Sequence, residues 1–114
     1  MWSDDDARFV ARFEAAALGH HEFGHREHLR VAWLYLQRHA LEEALGAVRR
    51  GLRRISAAHG DPERYDEALT RAWVELVAEA MAGNGGGDFS TLLAAHPELL
   101  ERETGTRRAT LRTP

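Results

Sequence analysis

No cysteine occurs in the chain, and that single absence removes disulfides, thiolate metal sites and thiol nucleophiles together. Any metal site must therefore be built from nitrogen and oxygen ligands. Lysine is missing as well, so all fifteen basic residues are arginines, a bias of GC-rich bacterial coding sequences. A phosphate-cradling loop needs a lysine and a serine or threonine after its glycines, and the run Gly83-Asn-Gly-Gly-Gly87 is followed by neither pattern. No apolar stretch approaches the roughly 20 residues that cross a bilayer. The opening residues, Met1-Trp-Ser-Asp-Asp-Asp6, are acidic where a signal peptide would be basic, and the expected location is cytoplasmic. A net charge of −3 argues against a general binder of nucleic acid or of anionic membranes.

What remains is an ordinary globular composition, 44% hydrophobic and 29% charged, with room for one core. Helical periodicity runs through it. Ser3 and the three aspartates after it suit a helix N-terminus, and Phe9, Phe13, Ala16 and Ala17 form a stripe that Gly19 is expected to end. Gly24 is a candidate cap for a second helix carrying Leu29, Ala32, Trp33 and Leu36. Leu41, Leu45, Val48, Leu52 and Ile55 mark a third, with arginines on its outer face. His59-Gly60-Asp61-Pro62 reads as a stop and an immediate restart, with proline at the first helical position of a fourth helix. That helix shows Tyr65, Leu69, Ala72, Trp73, Leu76 and Ala80 on one side and ends at the glycine loop. Asp88 or Ser90 caps a short helix, and His96-Pro97 opens another brief turn. The expected fold is all-α: a compact antiparallel bundle of four main helices plus one or two short C-terminal ones. Residues 1–104 make a single domain, and residues 105–114, without periodicity, a flexible tail.

Chemistry is sought among the histidines. Four of the seven, His20, His21, His25 and His28, fall in nine residues just before an apolar helical stretch. At about 100° per residue, His25 and His28 share the face that meets the core, spaced so that two imidazoles can hold one metal. In a continuous fourth helix Asp66 falls on the edge of the apolar face. Two histidines and a carboxylate on facing helices form the ligand set of many mononuclear non-haem centres. The expected site is a divalent transition metal on His25, His28 and Asp66. Glu67 or Tyr65 serves as acid/base or substrate contact, Thr70 as a supporting hydrogen-bonding group, and Trp33 and Trp73 as pocket wall. The single Glu22-x-x-His25 is one copy of a unit that a di-iron bundle needs twice, which disfavours a dinuclear centre in one chain. His39 lies about 21 Å along the helix from His25 and cannot join it; His59 and His96 sit at helix ends. No serine has a histidine and an acid at triad spacing.

Phe23-Gly-His-Arg-Glu-His-Leu-Arg-Val-Ala-Trp-Leu-Tyr-Leu36, followed by Arg64-Tyr-Asp-Glu-Ala-Leu-Thr70, resembles a group of small bacterial helical proteins. Their pattern is F-x-H-x-x-H-[LV]-x-x-A-W-x-Y-L and then Y-H-E-T-[LI]-T, and the likeness covers roughly residues 20–80. Asp66 stands where that pattern has histidine, and Ala68 where it has threonine. The resemblance implies no particular reaction. The expected function is a small metalloenzyme acting on a small-molecule substrate. The alternative is a non-catalytic helical module that binds a ligand or dimerises, a homodimer included, with structural histidines.

Overall fold

Ser3 starts the first helix as its sequence demands. Its hydroxyl accepts the Asp6 N–H at 3.0 Å, and the Asp6 carboxylate accepts the Ser3 N–H in return. In this computed structural model, which describes residues 2–19, 21–84 and 87–112, the helices are α1 (Asp4–Glu14), α2 (His25–Leu36), α3 (Leu41–Ala58), α4 (Glu67–Asn84), α5 (Phe89–Ala95) and α6 (Arg102–Arg112). Short 3-10 turns at Pro62–Arg64 and Pro97–Leu100 precede α4 and α6. His20 of the histidine run, Gly85 and Gly86 of the glycine loop, and the last two residues lie outside the described residues. Among the described residues there is no strand, and the helices form the expected antiparallel bundle.

The central element is α4, packed against α2, α3 and α6. One continuous apolar core joins the helices, with Phe13, Leu29, Leu34, Leu45, Val74, Val77 and Leu92 fully buried. Truncating such a side chain to alanine typically costs about 2–5 kcal/mol, so this core outweighs any surface pair in holding the fold. Polar links then set where the helices sit. Arg30 on α2 reaches Asp5 and Asp6 on α1, at 3.1 and 2.8 Å. The Trp2 indole N–H donates to the Leu34 carbonyl, and the Tyr35 hydroxyl to the Glu14 carboxylate. Gly51 lets the Phe13 ring lie on the α3 backbone, where an added Cβ would fall 2.1 Å from that ring.

Three boundaries depart from the sequence expectation. The first helix ends at Glu14 rather than near Gly19. Ala17 N–H bonds back to the Arg12 carbonyl and Ala16 N–H to Phe13, the paired closure of a Schellman turn, with Ala16 at φ 54° in the left-handed position. The same closure ends α3, where Gly60 takes that position at φ 79°. Second, the restart at Pro62 yields only a 3-10 turn. Tyr65 after it is extended (φ −65°, ψ 133°), and α4 begins at Glu67. Third, the supposed tail is α6. It packs on α4 through Gly105, whose backbone lies so close to the Trp73 indole that an added Cβ would be 2.3 Å from it. Arg108 fixes the helix further with a two-pronged ion pair to Glu79, at 2.7 and 2.8 Å.

Candidate functional site

Where α2, α3 and α4 diverge, the bundle leaves a cleft of about 460 Å³. That size falls in the range of pockets that enclose small organic molecules. Its apolar wall comes from Ala32 on α2, Val48, Leu52 and Ile55 on α3 and Leu69 and Trp73 on α4, which the helical stripes had turned inward, and from Val31 and Val74, which they had not. Polar groups enter from the helix ends. His25 and His28 stand on the first turn of α2, Tyr65 follows the 3-10 turn, and Thr70 lies in the first turns of α4. Exposed Asp61, Arg64, Asp66 and Arg102 form the rim.

Several of these polar side chains have a hydrogen-bonding partner. The His25 Nε2–H donates to the Leu99 carbonyl at 2.8 Å, tying the start of α2 to the turn before α6. Its ring also meets Trp73 edge-on, with centroids 4.5 Å apart. His28 lies 4.4 Å from the Phe23 ring, and among the described residues no group hydrogen-bonds its imidazole. Burial, with the neighbouring His25, Arg102 and Arg64, pushes its pKa down to about 4, so the ring is neutral near pH 7. His59, at the end of α3, also lines the cleft, and its Nε2–H donates to the Leu18 carbonyl at 3.3 Å. Thr70 is only 7% exposed; its hydroxyl donates to the Asp66 carbonyl at 2.8 Å.

The metal centre expected on His25, His28 and Asp66 is not formed. Among the described residues no three histidine, aspartate or glutamate side chains are placed to hold an ion. The cause is the break at Tyr65. With α4 starting at Glu67, Asp66 is not a residue in a helix face but the cap of that helix. It is exposed, and its Oδ1 accepts the Leu69 N–H at 3.0 Å. His25 is turned to a backbone carbonyl, and His28 is hemmed in by cationic neighbours. The divalent transition metal cofactor falls with this ligand set. Nor do the described histidines of the run form one group in space: His21 is exposed on the connection, while His25 and His28 face the cleft.

Glu67 does not line the cleft. Arg49 on α3 grips its carboxylate through Nε and Nη2, at 2.8 and 2.6 Å, and the Tyr65 hydroxyl donates to it at 2.7 Å. The Arg49 hydrogen bonds, helped by Tyr65, hold the Glu67 carboxyl down at about 2. Tyr65 is half-buried between this pair and the cleft, with Arg53 5.1 Å over its ring. Of the two tryptophans expected at a pocket, Trp73 lines the cleft, while Trp33 packs on Phe89 at 5.4 Å elsewhere in the core.

Several lining residues carry no sequence signal. Arg64 owes its place to the 3-10 turn that interrupts the expected helix. Arg102 and Thr106 arrive from α6, a segment without hydrophobic period. Ser56 was legible only as a position one turn from Leu52. No protein-family model, no curated protein and no solved structure matches the chain.

Proposed function

We infer that the chain is a non-catalytic helical binding module whose cleft between α2, α3 and α4 takes a small organic molecule. The observation that carries this reading is the cleft itself, about 460 Å³ in a chain of 114 residues, walled by aliphatic side chains and Trp73 and edged by polar side chains from α2, α3, α4 and α6. The titratable groups nearest to it are committed to structure. Glu67 is held as a carboxylate by Arg49, Asp66 caps α4, and His25 bonds a backbone carbonyl. A neutral His28 with a pKa near 4 is a weak base at neutral pH and serves better as a hydrogen-bonding wall.

Dimerisation is the weaker use of this fold. The large hydrophobic side chains exposed among the described residues are Leu100 and Leu111, too few for a contiguous apolar interface. No helix among the described residues is long and apolar enough to cross a membrane.

Fragment screening by NMR tests the reading. Binders should shift the amide signals of Ala32, Leu52, Leu69 and Thr70 together and leave those of α5 unmoved. A screen in which no compound moves this set, or in which shifts scatter over the surface, would overturn it.

A further inference from the structure

Resting on the reading of the cleft as a ligand site, we propose that its ligand is a small organic anion, with a flat apolar body against Trp73 and an anionic group reaching Arg64 and Arg102. The arginines of this chain are mostly spoken for. Arg12, Arg30, Arg49, Arg71, Arg107 and Arg108 pair with carboxylates. Arg54 donates to the Glu14 carbonyl. Arg26, Arg38 and Arg53 lie over aromatic rings. Among the described residues, the guanidinium groups of Arg8, Arg50, Arg64 and Arg102 have no such partner, and the last two flank one cleft.

The two come from distant parts of the chain, Arg64 from the turn before α4 and Arg102 from the first residue of α6. The nearby carboxylates do not satisfy them. The Asp66 Oδ1 accepts the Leu69 N–H, and among the described residues no ion pair joins Asp61 to either arginine. A planar guanidinium offers paired N–H donors that match carboxylate, sulfonate or phosphate oxygens. Below the rim the wall turns apolar, and the largely buried Trp73, with Val31, Leu52 and Leu69, lines it for an aromatic or aliphatic body. His28 lines the same cleft and, neutral near pH 7, can donate one hydrogen bond to the anionic group.

The probes are 1-anilinonaphthalene-8-sulfonate and N-phenyl-1-naphthylamine, which share an aromatic body and differ by the sulfonate. Affinities are read from dye emission, with circular dichroism and urea unfolding confirming that each variant is folded. The sulfonate should bind at least about tenfold more tightly than the neutral dye, the equivalent of one charge-assisted hydrogen bond. Changing both arginines, Arg64→Gln with Arg102→Gln, should erase that preference and leave the neutral dye's affinity unchanged. Both residues are exposed, so the fold should tolerate the change. Equal binding of the two dyes, insensitive to the arginines, would overturn the anionic class while leaving the cleft as the site. Ser56→Trp fills the cleft from α3 and should block both dyes; Thr106→Trp, on the exposed side of α6, does so if the first variant does not fold. Dye binding that survives filling, or no binding by either dye, would overturn the cleft reading itself.

Discussion

Ala16 and His28 each hold a state that their side chains do not prefer, and each can be tested alone. Ala16 sits at φ 54°, where its Cβ crowds the backbone, yet it closes α1 as Gly60 closes α3. Ala16→Gly should therefore stabilise the protein by roughly 0.5–1 kcal/mol, the steric relief less the extra entropy of an unfolded glycine. The urea midpoint should rise with an unchanged slope; a fall would mean the turn is not under strain. His28 is displaced in another way, its pKa near 4 against 6.5 for a free imidazole. As pH falls the unfolded chain takes up this proton first. The contribution of neutral His28 is full above pH 6.5, declines between 6.5 and 4, and is gone below. Its size is on the order of 3 kcal/mol. NMR of the imidazole ring should show a midpoint near 4, and one near 6.5 would contradict the burial. Glu67 follows the same sign in a lower window: its depressed carboxyl supports the fold above the ordinary carboxylate range and loses that support as pH drops toward 2.

At the scale of elements, α6 illustrates where sequence reading stops. The bundle was legible because α1 to α4 carry inward stripes at the helical period, Leu41, Leu45, Val48, Leu52 and Ile55 most clearly. The last helix has no such stripe. It holds through one glycine against the Trp73 ring and through Arg108 against Glu79. Neither contact leaves a trace in local pattern, since both partners lie about thirty positions away in α4. In an open helix, glycine to alanine is stabilising by roughly 1 kcal/mol. Here the sign should reverse: Gly105→Ala must push α6 off Trp73 at a cost of roughly 1–3 kcal/mol. Hydrogen exchange should then lose protection across α6 while α2 and α3 keep theirs. Increased stability in that variant would show that α6 is not seated on the tryptophan.

For the whole molecule, the sequence located one wall of the site and misread its chemistry for one physical reason. His25 and His28 do face inward together, as the wheel of α2 requires. Asp66 was placed by extending a helix through Pro62 to Ala80, but the chain is extended at Tyr65, and the period restarts at Glu67. A break of two residues converts a supposed ligand into a cap. Arg64 and Arg102 could not be found by period at all, because they meet only when the bundle is complete. That completion has a consequence in time as well as in space. The hydrogen bond from His25, which lines the cleft, to Leu99 spans 74 positions, so fixing this cleft residue means closing one of the longest loops in the chain. Long closures lose the most chain entropy and come after the local helix pairs have formed. Contacts made after the folding barrier alter how fast a protein comes apart, not how fast it assembles. An occupant of the cleft should accordingly slow unfolding in stopped-flow urea jumps by the full factor of its stabilisation, while refolding proceeds at the rate of the empty protein.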